Sequence, residues 1–384
     1  MEVYFDNSAT TRAYEEVCNE MSLAMKEYFA NPSSLHKLGL KSQRRLIEAR
    51  ESIAKTINAT KEEILFISGG SEGNNTVLRG LAKPGNHIIT TGFEHPSVLE
   101  TCRELEEKGV RVTYLALDGN GRIDLEALKN SITKDTVLVS VMHVNNEVGT
   151  ISDLEAIGKI IKENSQRAKY HVDGVQGYGK FKIDVKKFNI DFYSMSAHKI
   201  HGPKGVGFLY TRKDLNLPAL ITGGSQESGH RAGTENLPAI IGMQKACEIT
   251  IENLDKSFES VKELKAYFVE RLKEIEDIRI NSPIEDYISP YILNVSFLGV
   301  RAEVLLHLLE DSDIFVSTGS ACSSKKVISK GSHVLNAIGL KPNEIEGAIR
   351  FSFSGENTKE EVDYVIDALK KSLLFLRRFK RWKK

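Results

Sequence analysis

Lys199 and Asp173 are the residues from which chemistry can first be read. Lys199 follows an apolar, strand-like run from Asp191 to Met195 and leads into Gly202-Pro203-Lys204-Gly205-Val206-Gly207. An amine brought out of a core beside small residues can form a Schiff base with an aldehyde. A lone lysine in a turn is ordinarily a surface residue, so the reading rests on its company. Asp173 ends the strand-like stretch YHVD (170–173). A buried carboxylate there could pair with a protonated ring nitrogen. A Schiff-base lysine with an Asp on a pyridinium nitrogen is the protein side of pyridoxal phosphate (PLP) chemistry. Read alone, Asp173 would be a helix N-cap.

PLP carries a phosphate, which needs a cradle. Gly69-Gly70-Ser71-Glu72-Gly73 lies between a strand-like run, Ile64 to Ile67, and a helical stretch with Val77, Leu78 and Leu81. Glycines allow close backbone approach, and a helix N-terminus offers free N–H groups and a positive dipole end. Neither a Walker nor a GxGxxG pattern is present, which disfavours a nucleotide. His95, in FEHPSV, follows another strand; beside a cofactor it could stack on the ring and move protons near neutral pH. Asn146 follows the longest apolar run, in VMHVNNEVGT, where it could bond a ring substituent or a substrate carboxylate.

The elements that must position these residues alternate. Strand-like runs occur at 64–67, 87–90, 112–115, 136–144, 170–173, 191–195 and 206–210, with helical spacing between them, as in Leu154, Ile157, Ile160 and Ile161. Strands without a wet face alternating with helices predict an α/β domain with a mostly parallel sheet flanked by helices. The candidate residues fall at strand carboxyl ends, where such sheets build their sites. The pattern changes near residue 245. A charged amphipathic helix over 245–275, strands at 292–297, 314–316 and 348–353, and a last helix from about 358 predict a smaller α+β domain.

Composition narrows the function classes. The 384 residues suit two domains. Lys+Arg and Asp+Glu both number 52, so the whole molecule has no strong field toward nucleic acid or membrane. No apolar run approaches a membrane span, and the acidic, polar N-terminus does not read as a signal peptide. Cys18, Cys102, Cys247 and Cys322 are widely spaced without a CxxC pattern, which argues against a zinc site or a disulfide framework. A reducing cytoplasm is the expected location.

Seven stretches in order, SGGSEGNN (68–75), FEHPSVLE (93–100), HVNNEVGT (143–150), HVDGVQGYGK (171–180), SAHKIHGPKGVGFLY (196–210), HRAGTEN (230–236) and STGSACSSK (317–325), together resemble the cysteine desulfurase family of the NifS/IscS type. With YFDNSATT near the start and AIRFSFSG at 348–355, the resemblance spans nearly the whole chain. Its last loop looks like that of the longer-loop group of these class V aminotransferase-like enzymes. The resemblance implies PLP-dependent transferase fold type I, with a large PLP-binding domain at 15–245. Residues 1–14 and 246–384 would form the small domain, carrying a catalytic cysteine loop at 317–330. It implies that Lys199 holds PLP, Asp173 pairs with the pyridine nitrogen, Gln176 bonds the ring oxygen and His95 stacks on the ring. Gly70, Ser71, Ser196 and His198 would hold the phosphate, with Thr234 reaching it from the neighbouring subunit of a homodimer. Asn146 and Arg350 match positions that hold the substrate carboxylate, a task suited to the planar fork of arginine.

Cys322 is then the decisive residue. Its neighbours are small, polar and basic, with Lys325 and Lys326 close behind, the setting of a thiol with a lowered pKa. Its implied role is nucleophile toward the sulfur of L-cysteine, giving L-alanine and a Cys322 persulfide. That sulfur would pass to an acceptor protein, an iron–sulfur scaffold or an enzyme of tRNA or cofactor thiolation. The other cysteines read as helix packing residues. A selenocysteine lyase or an aminotransferase of the same fold is the enzymatic alternative, and a non-catalytic scaffold the alternative of another class. Ser225 and Ser228 stand where relatives carry glycine and arginine. The tail LLFLRRFKRWKK (373–384) interleaves cations with Phe379 and Trp382. It reads either as a helix end with a solvated tail or as a docking arm for an acidic acceptor or RNA. Direct nucleic-acid binding is not the expectation, but the tail leaves it open.

Overall fold

The computed structural model describes residues 1–318 and 331–381, with side chains to residue 378. Cys322 lies outside the described residues.

The chain opens with a two-residue strand, β1 (Val3–Tyr4). The main sheet is then built from β2 (Ile64–Ile67), β3 (His87–Thr91), β4 (Arg111–Leu115), β5 (Thr136–Met142), β6 (Lys169–Asp173), β7 (Phe192–Ser196) and β8 (Gly207–Thr211). Its order is β2-β8-β7-β6-β5-β3-β4, with β8 antiparallel to both neighbours and every other pair parallel. Every residue of β5 is buried, which explains its unbroken apolar sequence: helices cover both faces. The period-two alternation survives as a division between two cores. Tyr170, Val172, Tyr193 and Met195 face one cluster with Ile53, Phe208 and Ile240, whereas Leu65, Leu138, Phe192 and Leu209 face the other with Val77 and Val98. Exposed Arg111 opens β4 at the sheet edge, where a charge discourages pairing with another chain.

A separate core is formed around β9 (Ile278–Ile280), β10 (Ile292–Phe297), β11 (Ile314–Phe315) and β12 (Ala348–Ser352). The antiparallel sheet β12-β10-β9 is joined by the pair β1-β11, so Val3 and Phe5 share a core with Phe268, Val295, Phe351 and Ile366. The single helix expected over 245–275 is two. Leu237–Glu252 buries Ile240, Met243 and Cys247 against the main sheet, and Leu254–Leu272 buries Leu264 and Phe268 in the second core. Asn253 leaves helical geometry between them and its Nδ2 donates to Ile249 O at 2.9 Å. One intervening residue is too short an interruption to break the charge and apolar pattern from which the single helix was read.

Cys102 and Cys247 are buried, and burial pushes both thiols up to about 12. Cys18, expected to pack, is exposed on the helix Glu15–Glu27. The terminal helix Lys359–Arg381 turns Arg377 inward, where it donates to the carbonyls of Glu276, Asp277 and Leu298 at 3.0–3.3 Å. One cation of the basic tail is therefore a clamp between elements. Among the described residues no helix is long and apolar enough to cross a membrane.

Candidate active site

The carboxyl ends of β2, β3, β5, β6 and β7 lie along one edge of the sheet, and a cavity of ≈ 310 Å³ opens there. Gly70, Ser71, His95, Asn146, Asp173, Gln176, Ser196, His198, Lys199 and Arg350 all line it. Ten expected site residues from five sheet-edge segments and β12 thus converge on one space.

Each is placed by its local sequence. At Gly69 (φ 153°, ψ −178°) the chain turns from β2 into the helix Gly70–Leu81 through a conformation essentially confined to glycine. The turn brings Gly70 and Ser71, whose N–H groups have no intrahelical acceptors, to the cavity wall. A Cβ on Gly70 would lie 2.4 Å from Val175, so only glycine lets this helix end close over the β6 loop. Asp173 is the last residue of β6. Its Oδ1 accepts from Val175 N–H at 3.1 Å and its Oδ2 from Asn74 Nδ2 at 2.7 Å. Gln176 follows in the same turn; Nε2 donates to Ser8 O and Oε1 accepts from Lys180 Nζ, both at 2.9 Å.

Lys199 sits at the end of a short helical turn after β7, and its Nζ donates to the carbonyls of Ser8 and Ala9 at 2.5 and 2.7 Å. The N-terminal segment therefore forms one wall, held to β12 where Ser352 N–H donates to Phe5 O. Arg350 reaches the cavity from β12. Its Nη1 donates to Asn146 O at 2.9 Å and its Nη2 to Asp6 Oδ1 at 2.7 Å, while its buried Nε has no partner among the described residues. An unpaired buried donor on a guanidinium is a group waiting for an anion.

The electrostatics follow from burial. Desolvation lowers the Lys180 ammonium to about 7, with Lys199 and Arg350 adding repulsion. The same cause takes His198 to about 4 and lowers His95, where Asp173 acts in the opposite direction. Glu94, fully buried behind the cavity, is raised to about 8 by desolvation, and burial also raises Glu147. Burial thus disfavours the charged forms of these histidines and acids.

Thr234 is not in this cavity. It lines a separate small depression with Phe66, Ser68 and Arg231. Ser225 and Ser228 are exposed and do not line the cavity. The residues that sequence reasoning passed over are Ser8, Ala9, Asn74, Ser97, Glu147 and His333. Asn74 and Ser97 stood inside the quoted stretches SGGSEGNN and FEHPSVLE, next to residues that were read. His333 enters from the short helix His333–Ala337 with its Nε2–H on Glu94 O, a contact no local pattern announces.

These residues fit PLP: an amine and a buried carboxylate on successive strand ends, a glycine-opened helix terminus, and a guanidinium with an unpaired donor. Comparison with known proteins points the same way. The family model Aminotransferase class-V matches residues 3–365. The cysteine desulfurase IscS of Dictyoglomus turgidum is 44% identical over 387 residues, covering 100% of this chain and 97% of that one. The cysteine desulfurase IscS of Clostridium botulinum (strain Hall) is 44% identical over 376 residues, 96% of this chain and 94% of that one. A solved NifS-like protein superposes with a TM-score of 0.92 at 40% identity, covering 98% of this chain and 100% of that one. The structure described as SspA in complex with cysteine gives 0.81 at 34% identity, over 93% and 100%.

Proposed function

Because the chain belongs to the class-V aminotransferase family and is a PLP-dependent cysteine desulfurase, we propose the following division of labour among its residues. Lys199 binds the cofactor aldehyde, Asp173 holds the pyridine nitrogen, Gln176 the ring oxygen and His95 one ring face. Gly70, Ser71, Ser196 and His198 hold the phosphate. When bound, PLP supplies an electron sink for bonds made and broken at the carbons of the substrate. Arg350, with Asn146 beside it, fixes the carboxylate of L-cysteine through the donors that Asp6 leaves over. Lys199 Nζ carries the α-proton of the substrate. The Cys322 thiolate attacks the substrate sulfur; the carbon–sulfur bond breaks with its electron pair going to carbon, which is then protonated. L-cysteine and a thiol become L-alanine and a persulfide, so no outside oxidant or reductant is needed.

The observation that carries this reading is the convergence on one cavity of Lys199, Asp173 and the half-paired Arg350. Residues 15–245 then act as the cofactor domain, and 1–14 with 246–384 as the smaller domain bearing Arg350 and the Cys322 loop. The separate apolar cores support that division. Thr234, outside the cavity of its own chain, is assigned to the phosphate of a partner subunit in a homodimer. The acceptor of the sulfur is an iron–sulfur scaffold or a thiolation enzyme in the cytoplasm.

The test is product formation from L-cysteine by the purified protein beside Cys322→Ala and Cys322→Ser, with visible spectra recorded. A yellow wild type should make alanine and persulfide sulfur in equal amounts. The variants should stay yellow and make neither. Sulfide release by Cys322→Ala at the wild-type rate would overturn the assignment of the nucleophile.

A further inference from the structure

Asp173 and His95 are joined by an unbroken chain of hydrogen bonds through two side chains with no part in the roles above. Asn74 Nδ2 donates to Asp173 Oδ2 at 2.7 Å and to Ser97 Oγ at 2.9 Å. The carboxylate decides which end of the Asn74 amide faces it, because only the NH₂ end can donate. Both Nδ2 hydrogens are then engaged, and the buried Asn74 Oδ1 has no partner among the described residues. The amide is thus held by what it donates to. Ser97 Oγ already accepts from Asn74, so its own hydrogen is left for His95 Nδ1, 2.8 Å away.

A second donor reaches the same nitrogen. His95 is the N-cap of the helix Pro96–Glu107, and Ser97 N–H points to His95 Nδ1 at 3.1 Å. A backbone N–H can only donate, so Nδ1 must present its lone pair. The ring proton of neutral His95 therefore sits on Nε2, which has no hydrogen-bond partner among the described residues, and the ring lines the cavity.

We infer that Ser97 and Asn74 are positioning residues that hold His95 as the neutral Nε2–H tautomer, so that it offers the site a hydrogen-bond donor and not a base. The surroundings agree. Burial and the positive end of the helix it caps both oppose an imidazolium. Of the titratable groups among the described residues that act on the ring, the positive forms of Lys199 and His333 also oppose it, and the Asp173 carboxylate favours it. To take up a proton at Nδ1, the ring would have to break two bonds. To act as a base through Nε2 it would need the opposite tautomer, with a proton aimed at the Ser97 N–H. The task of carrying the α-proton is left to Lys199. This deepens the proposed role of His95 and rests on that assignment, but its readout does not depend on desulfuration.

The test is nitrogen NMR of holoenzyme carrying ¹⁵N-labelled histidine, from pH 6 to 9, with His95→Asn to identify the signals. The expected wild-type pattern is an unprotonated Nδ1 and a protonated Nε2 across the range. Ser97→Ala should mix in the other tautomer and raise the midpoint of ring protonation by about half to one pH unit, the equivalent of one neutral hydrogen bond. Ser97→Thr should restore the wild-type pattern. A protonated Nδ1 in the wild type at neutral pH overturns the inference. So does a Ser97→Ala protein with unaltered His95 signals, whatever the desulfurase assay gives.

Discussion

Arg350 Nη2 and Asp6 Oδ1 form a 2.7 Å ion pair between opposite ends of the chain, inside the wall of the active-site cavity. The arginine side chain is only 4% exposed and the aspartate 21%. Asp6 balances the buried charge without using every donor, which leaves Nε and one Nη2 hydrogen for the substrate carboxylate in the role proposed above. Asp6→Asn should remove that balance. A broken buried pair costs about 3–5 kcal/mol, and the partial exposure of Asp6 reduces this to about 2 kcal/mol. L-Alanine, the product, carries a carboxylate that can replace the missing charge. Thermal unfolding should therefore show a lower Tm for Asp6→Asn and a larger rise on adding L-alanine than in the wild type. Equal Tm values with and without alanine would show the pair to be idle.

Glu94 gives a pH-dependent prediction. Its Oε1 accepts from Thr91 Oγ1 at 2.6 Å and from Met142 N–H at 3.0 Å, and its buried Oε2 has no partner among the described residues. Burial raises its pKa from 4.5 to about 8. Between those values the folded protein binds a proton that the unfolded chain does not, so this group lowers stability as pH rises from about 4.5 to 8. Glu94→Gln resembles the protonated form and has no such slope. Its advantage over the wild type in urea unfolding should grow between pH 5 and 8, by up to about 1.4 kcal/mol per unit, and level off above. A difference independent of pH would place the Glu94 titration elsewhere.

The main sheet and the residues at its carboxyl edge were legible in the sequence because both signals are local. Apolar runs mark buried strands, and Lys199, Asp173, His95 and Asn146 each follow one directly. The walls of the cavity were not legible. Ser8 and Ala9 meet Lys199 across most of the main domain, and His333 meets Glu94 across 239 positions of sequence, so no spacing records the contact. Asn74 and Ser97 failed to register for another reason. Their residue types suit helix starts so well that a structural role hides a chemical one.

The loop that carries Thr234 is anchored by Glu227. Its two oxygens accept from Arg50 Nη2 and Nη1, both at 2.6 Å, and Oε2 also accepts from Phe66 N–H at 3.0 Å on β2. Glu227 itself adopts φ 47°, a left-handed conformation that a non-glycine residue holds only under constraint. Glu227→Ala should destabilise the protein by about 3–5 kcal/mol, because Arg50 loses its partner in a largely buried site. Adding Arg50→Met should recover part of that loss in a double-mutant cycle of denaturant unfolding. Glu227→Ala should also release PLP faster on dialysis, since the Thr234 segment loses its tie to β2. Additive single effects, or unchanged cofactor retention, would contradict the anchor.

Lys180 should respond to pH in the opposite sense to Glu94. It is buried beneath Gln176, donates to Gln176 Oε1 at 2.9 Å and stands 5.5 Å from the centre of the Tyr291 ring. Desolvation lowers its pKa from 10.5 to about 7, helped by repulsion from Lys199 and Arg350. Between pH 7 and 10.5 the unfolded lysine is charged and the folded one mostly neutral, so the unfolded chain binds more protons and stability rises with pH. Lys180→Met removes that slope together with the hydrogen bond. Near pH 7 the variant should match or exceed the wild type, because the charge penalty and the bond offset each other. By pH 9.5 the penalty has largely gone while the lost bond remains, so the wild type should be the more stable. A crossing of the two stability curves in urea unfolding between those pH values is the expected result. Parallel curves would mean that Lys180 keeps an ordinary pKa, and that the amine bound to Gln176 stays charged throughout the working range of the enzyme.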